Sequence, residues 1–344
     1  MEPPHGTGQT PPRLPDPSLI MQLALAYRAS MVLFAASELD VFSIIAGGHG
    51  RPAAIAEACG AHPEPVRLLL NACVDAGLLS RTADGYQNTE VADAFLVRSR
   101  PAYIGHGLAY AEDLYPAWGR LADLMRTAAP VMPPSDLLGG DPEKTRAFVY
   151  AMHERARGIG AVLPHGADLS GRRHLLDVGG GPGTYSISLV RATPGLRSTI
   201  LDLPGVLAIS REIIAANDCQ DRIDTREGDY LTTPFGTGYD AVLLSGMMHR
   251  ETEANCQLLL RKAAAALDPG GIVIVSDVFF EDDERTRPPF ATHFALSMML
   301  TAEHGTTHAR TAMARWMTEA GFEEVSIRPL PPPNPHSLIV GIRA

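Results

Sequence analysis

From residue 174 onward, short apolar runs alternate with helical stretches, and this alternation limits the possible folds more than any other feature of the sequence. HLLDVG, RSTILD, DRIDTREGD, YDAVLLS and GIVIVSD are strand-length runs, and helical stretches separate them. Strands and helices interleaved in this way pack as a parallel sheet with helices on both faces. Two more extended runs, EEVSIRPL and HSLIVGIRA, close the chain. The PPPNP segment between them is too short for a crossover helix, so they are expected to pair antiparallel. The expected fold class over 166–344 is therefore α/β: a Rossmann-like, seven-stranded domain whose final strand pair includes one antiparallel member.

The first half has another texture. Residues 1–17 are rich in Pro, Gly and Thr and read as a disordered tail without the pattern of a signal peptide. Residues 18–112 read as a winged helix. RPAAIAEACGAHPEPVRLLLNACVDAGLL has the pattern of two short helices joined by a turn, and LLSRTADGYQNTE carries an Asp-Gly signal for a hairpin. The preceding SLIMQLALAYRASMVLFAASELDVF has apolar residues at helical spacing and almost no charge, so it is expected to be buried on more than one side. Residues 113–165 read as a helical linker that caps a substrate, with a helix start at Asp141-Pro142.

A winged helix raises the question of DNA binding, and charge answers it. The net charge is −10, and residues 1–110 hold seven Arg, no Lys and ten Asp or Glu. The presumptive recognition helix, PEPVRLLLNACVDAG, offers one Arg, whereas base reading needs several polar or basic side chains. No nucleic-acid partner is expected. The near-uncharged first helix instead fits an interface in a homodimer. The apolar runs are interrupted by charge, Gly or Pro, which argues against a membrane span. The four cysteines show no metal spacing, and a reduced, cytoplasmic location follows.

HLLDVGGGPGTYSISLV (174–190) puts a glycine-rich turn between a strand and a helix, where an open α/β sheet binds its ligand. It is not a dinucleotide fingerprint, because Thr184 stands where the third glycine belongs, and it lacks the Gly-Lys of a Walker loop. Asp202 ends the second strand, where an acid can accept from a ribose diol. Asp229 ends the third and can accept from an adenine amino group, with Tyr230 to cover the ring. The alternative for either acid is a helix N-cap.

LLDVGGGPG, LDLPGV, GDY, the strand leading to His249, and AALDPGGIVIVSD follow one another in the order of a known family. The sequence resembles the S-adenosylmethionine-dependent O-methyltransferases of the plant caffeate and acetylserotonin type, whose bacterial members include tailoring enzymes of secondary metabolism. The resemblance covers nearly the whole chain and implies an N-terminal winged-helix dimerisation domain. It implies that Gly179 and Gly181 flank the methionine part of S-adenosylmethionine, Asp202 with Leu203 its ribose, and Asp229 with Tyr230 its adenine. Ser245 stands where the family often has a lysine near the adenine, so the lysine contact is lost and only the serine remains as a candidate.

The same resemblance makes His249 a general base and Asp277 the acid that orients it. Imidazole titrates near neutral pH, so a histidine at a strand end beside the crevice can take a proton from a phenol or enol. The other possibility for His249 is a core histidine. Two departures matter. The family usually continues from this histidine with Asp-Trp, but here Arg250-Glu251 follows; and Ala309 occupies the place of a second acid. The departures open a metal-assisted reading, in which His249, Asp277 and His304, with His308, His293 or Glu251 as further ligands, bind a divalent metal or iron for C- or O-methylation. Phe148, Met152, Met248, Phe294, Met298 and Met299 are candidates for an apolar, adaptable acceptor wall, or else simply core.

Overall fold

A computed structural model describes residues 15–132, 141–332 and 334–344. The greater part of the expected tail and the Pro- and Gly-rich break at 133–140 lie outside the described residues. The chain forms two compact units, Met1–Tyr103 and Ile104–Ala344. Helix Gly105–Asp113 thus belongs to the second unit, and the division falls before the expected one at 112.

In the first unit, helices Pro52–Ala58 and Pro63–Asp75 form the helix-turn-helix. Each has a proline in its opening turn, where the missing N–H would have no helical partner anyway. Val66, Leu70 and Cys73 make the buried stripe of the second helix. The wing is a hairpin of β1 (Leu79–Thr82) and β2 (Gly85–Asn88). Thr82 pairs with Gly85, so Ala83 and Asp84 make the turn and the expected Asp-Gly turn is displaced by one residue. Gly85 is needed for another reason. Its φ is +139°, and a Cβ there would lie 2.2 Å from the Gly50 carbonyl oxygen, which accepts the Tyr86 N–H at 2.8 Å.

The opening helices, Ser18–Leu25 and Tyr27–Glu38, correct an expectation. Within one chain the first has no buried residue, and Ile20 and Leu23 are each 70% exposed. Apolar surface this bare marks an interaction site. By length and composition alone, Ser18–Glu38 (21 residues, mean hydropathy 1.6) would also suffice to cross a membrane, contrary to the reading that every run is too short. Arg28 interrupts it near the middle, where a bilayer makes a charge costly.

The second unit holds a seven-stranded sheet of β3 (His174–Val178), β4 (Arg197–Asp202), β5 (Ile223–Glu227), β6 (Tyr239–Ser245), β7 (Leu267–Val278), β8 (Phe322–Pro329) and β9 (His336–Arg343). Their order across the sheet is β5-β4-β3-β6-β7-β9-β8. β9 alone runs against the direction of the other six strands, as expected for the final pair. The central strands are buried on both faces, which explains their near-continuous apolar runs. Leu175 joins a core on one face with Leu163, Leu196 and Ile200, while Leu176 and Val178 join Leu244 and Leu259 on the other. Helix Pro142–Gly166 is capped as expected: Asp141 accepts from the Glu143 and Lys144 N–H groups at 2.8 and 3.3 Å.

Gly85→Ala should destabilise the N-terminal unit by about 2 kcal/mol or more, because it combines a strained φ with a backbone clash. Chemical denaturation followed on the isolated transition of that unit checks this; an unchanged midpoint would show that the wing does not depend on the Gly50–Gly85 approach.

Candidate active site

β3, β4 and β5 step outward in one direction, and the chain then returns to β6 on the other side of β3. A crevice opens where the order reverses, beyond the C-terminal ends of β3 and β6. The glycine turn follows β3 and the His249 turn follows β6, so topology alone brings them together.

The glycine turn is tied to β4. The Gly179 N–H donates to the Leu201 carbonyl at 2.8 Å, and the Gly181 N–H donates to Asp202 Oδ2 at 2.8 Å. Asp202 Oδ1 accepts the Leu203 N–H at 2.7 Å, and the following helix, Pro204–Ala216, has no side-chain cap. Asp202 therefore braces the turn from the neighbouring strand β4 and is not a helix cap. Burial raises its pKa, against these two N–H bonds. Gly181 has φ +53°, and a Cβ there would meet nothing within 4 Å, so this part of the turn faces open space. Beneath it, the wholly buried Asp177 accepts from Ser186 Oγ at 2.6 Å, and burial pushes its carboxyl up to about 7.

The turn after β5 is built differently. The exposed Asp229 accepts the Leu231 N–H at 2.7 Å, so one of its oxygens closes its own turn. The Tyr230 ring lies 3.5 Å from the Cβ position of Gly179, and its phenol donates to Glu251 Oε1 at 2.7 Å. Burial, then the Glu251 charge, raises the phenol's pKa. Asn255 Nδ2 donates to the other Glu251 oxygen at 2.7 Å. Lys262 donates to the carbonyls of Tyr230 and Leu231 and sits 4.5 Å from the centre of the Phe235 ring. Ser245, at the end of β6, is buried, and its Oγ has no hydrogen-bond partner among the described residues.

His249 lies in the short turn Met248–Arg250. Its Nδ1 is 2.7 Å from Asp277 Oδ1, and its backbone N–H donates to Oδ2 at 3.3 Å. Asp277 is 1% exposed. Burial alone would raise its pKa, but the His249 ring, His336 and the Val278 N–H outweigh it and hold the carboxyl below its usual range. An ionised carboxylate only accepts, so Nδ1 carries the proton and Nε2 keeps its lone pair on the far side of the ring. The ring is 12% exposed and meets the edge of Phe294 at 4.8 Å between centroids.

The expected acceptor wall divides. Phe148 and Met152 pack with Tyr110 and Leu114, Met299 with Leu124 and Leu300, and Phe294 with Val278 and Phe280. Met298 is buried at 6% exposure, on the same helix as Phe294. Met248 is no wall residue: it is fully buried in the core under the sheet. The metal set does not assemble either. Among the described residues, no three His, Cys, Asp or Glu side chains form a ligand group. His304 is exposed, and His293 bonds the Pro289 carbonyl at 2.9 Å. Buried His308 turns Nε2 toward the carbonyls of Met248 and Glu251, at 3.2 and 3.1 Å.

The pattern of known proteins agrees with this geometry. A family model described as an O-methyltransferase domain matches residues 127–323, and one for the O-methyltransferase dimerisation domain matches 21–98. The chain belongs to the O-methyltransferase family. It is 33% identical to 3-hydroxy-5-methyl-1-naphthoate 3-O-methyltransferase of Streptomyces sahachiroi, over 98% of this chain and 99% of that enzyme. It is 33% identical to the tetracenomycin polyketide synthesis 8-O-methyl transferase of Streptomyces glaucescens, over 94% and 96%. Among solved structures, human N-acetylserotonin methyltransferase in complex with S-adenosylmethionine superimposes with a TM-score of 0.87 at 25% identity, covering 98% of this chain and 100% of that one. This chain is thus an S-adenosylmethionine-dependent O-methyltransferase. Its crevice fits that cofactor on two observations of its own: the open side of Gly181 and the unpartnered, buried Ser245 Oγ.

Two residues of the O-methyltransferase crevice escaped the sequence reading. The sequence points to Glu251 only as a metal ligand, yet it holds the Tyr230 phenol across a 21-residue separation that no local pattern reveals. Lys262 secures the same turn; its only signal was that the chain has two lysines in all.

Because the folded pKa of Asp277 is lowered, its ionised form adds stability that is complete above the ordinary carboxylate range and is lost as pH falls through the folded value. Asp277→Asn should therefore flatten the acid limb of the stability curve. Denaturation midpoints from pH 6 down to 3 check this, and equal slopes in wild type and variant would remove Asp277 from the linkage.

Proposed function

We propose that this enzyme methylates a hydroxyl of an aromatic, polyketide-type small molecule, with His249 as general base and Asp277 as the residue that orients it. The observation that carries this reading is the 2.7 Å pairing of His249 Nδ1 with an ionised, buried carboxylate, which leaves Nε2 as the accepting nitrogen. The named acceptors of the two Streptomyces relatives, a hydroxynaphthoate and a tetracenomycin polyketide, support an aromatic acceptor. The apolar surroundings of Phe148, Met152 and Phe294 suit a flat ring.

When bound, S-adenosylmethionine supplies a methyl group already activated on a sulfonium. The protein's share is to align the acceptor oxygen and remove its proton. Asp202 has lone pairs left for a ribose diol, Gly179 and Gly181 keep side chains out of the crevice, and Asp229 and Tyr230 would bound the adenine. Ser245 would donate or accept at the cofactor from the end of β6. At His249, Nε2 takes the acceptor's proton while Asp277 stabilises the imidazolium that results, so charge is neutralised inside the site instead of being generated there. The apolar face of Ser18–Leu25 would be covered by a second copy of the chain, making a homodimer.

His249→Ala should lower turnover by about 10²–10⁴-fold while leaving S-adenosylmethionine affinity within a few-fold, and Asp202→Ala should weaken cofactor binding first. Calorimetric binding of the cofactor beside single-turnover rates separates the two; equal loss of binding in both variants would make His249 a structural residue.

Ile20→Glu combined with Leu23→Glu should convert a dimer to a monomer in sedimentation. A double variant that remains dimeric would place the interface elsewhere.

A further inference from the structure

The turn that carries His249 spans only Met248–Arg250, and Asp277 is one of its two attachments. The other is the segment 306–308. The Thr306 N–H donates to the His249 carbonyl at 2.8 Å. Nε2 of His308 lies 3.2 Å from the Met248 carbonyl oxygen and 3.1 Å from that of Glu251, so one ring nitrogen spans the turn from its first residue to its C-cap. Carbonyls only accept, so Nε2 carries the hydrogen and shares it between them. Burial lowers the pKa of this imidazole, which favours the neutral ring with that single N–H.

The ring of His308 is itself held. Its backbone carbonyl accepts the Phe280 N–H at 3.0 Å, and the Phe280 carbonyl accepts the Arg310 N–H at 3.0 Å, so this segment is pinned three residues beyond Asp277. The ring meets Trp316 edge to face, 5.2 Å between centroids, and Trp316 belongs to the same core as Met248. Cys256 Sγ lies 3.5 Å from both His308 Nε2 and the Met248 carbonyl. The contacts form a closed loop: the segment after Asp277 holds His308, His308 holds the turn of His249, and the His249 ring returns to Asp277.

We propose that His308 is a positioning residue for methyl transfer: by bridging the Met248 and Glu251 carbonyls it fixes the direction in which His249 presents Nε2. The proposal rests on the reading of His249 as general base. Asp277 fixes the tautomer of that ring, but its bond to the His249 N–H is long, 3.3 Å, and leaves the turn able to tilt about the carboxylate. The His308 bonds supply a second point of attachment. Alignment of this kind governs rate more than affinity, because a base must lie within hydrogen-bond reach of the proton it removes.

The test compares His308→Leu, which removes the donor, with His308→Asn, whose amide is too short to reach the Nε2 position, and His308→Gln, whose amide is not. With the full-length enzyme, S-adenosylmethionine and a hydroxynaphthoic acid, the first two variants should lose about 10–100-fold in kcat. Their KM values and cofactor affinity should stay within a few-fold, and His308→Gln should recover most of the loss. Adding His308→Leu to His249→Ala should cost little more than His249→Ala alone, because both act through one group. A second readout needs no acceptor. In histidine-selective nitrogen-15 spectra of enzyme loaded with S-adenosylhomocysteine, the His249 Nδ1–H signal, assigned by its loss in His249→Ala, should shift or broaden in the Leu and Asn variants and return toward wild type in His308→Gln. If His308→Leu does not fold, the Asn and Gln variants carry the same comparison. An unchanged signal in every variant overturns the proposal whatever the rates, as does a full further loss in the double variant. If His249→Ala is slow and His308→Leu is not, the proposal falls while the base reading stands. If the signal moves but His249→Ala keeps its kcat, the base reading falls and takes the catalytic role of His308 with it.

Discussion

The reversal of strand order between β3 and β6 is the constraint on which the rest of the second unit depends. Every strand in a parallel sheet ends in a loop at the same edge, but neighbouring loops normally crowd one another. Where the chain runs away from β3 on one side and returns on the other, the two loops diverge and leave a crevice. The glycine turn and the His249 turn occupy its two lips, and Asp202 reaches back from β4 to brace the first through the Gly181 N–H. The proximity of these groups is thus a property of the sheet, obtained before any side chain is chosen.

What the side chains add is a set of buried charges, each with its partner. A carboxylate at 1% exposure would cost several kcal/mol if left alone. Asp277 avoids that cost through the His249 ring, the His249 N–H and the Val278 N–H. Those bonds also fix the turn that carries the histidine, so the stability of the carboxylate and the orientation of the His249 ring are the same arrangement. Glu251 repeats the logic one step away, taking Tyr230 and Asn255 as donors. The Tyr230 turn is thus held by a hydrogen bond to Glu251, which stands where the resembled family usually has an aromatic residue.

The parts legible in the sequence were those governed by local rules. Short apolar runs, glycine at a strand end, proline in a first helical turn and Asp141 before Pro142 each state their structure within a few residues, and the strand series is therefore legible. Burial against distant partners was not legible. Ser18–Leu25 looks like a core helix because an interface and a core share one composition, and only the folded chain shows the face to be bare. Met248 and Met152 are the same residue type beside candidate site elements; one lies in the core of the sheet and the other in the Tyr110 cluster, which depends on distant partners and not on spacing. The departures at Arg250-Glu251 and Ala309 suggest a metal held by His249, Asp277 and His304, with His308 as a further ligand, but no such group assembles among the described residues. His308 instead turns its Nε2 to the backbone carbonyls of Met248 and Glu251.

Helix Pro142–Gly166 connects the two sides of the reaction. On one face Val149, Ile159 and Leu163 are part of the sheet's core. At His153 the helix bonds Thr184 Oγ1 at 2.8 Å, directly at the helix that follows the glycine turn. On its other face Phe148 and Met152 line the Tyr110 cluster, and Glu154 fixes helix Gly105–Asp113 through His106 and Gly107. A single element therefore links the glycine turn to the Tyr110 cluster. Methyl transfer demands a fixed distance, because donor carbon, acceptor oxygen and base must align at once and a displacement of about 1 Å costs orders of magnitude in rate. Residues on the Tyr110 side of the helix can then vary without disturbing the spacing that the opposite face maintains.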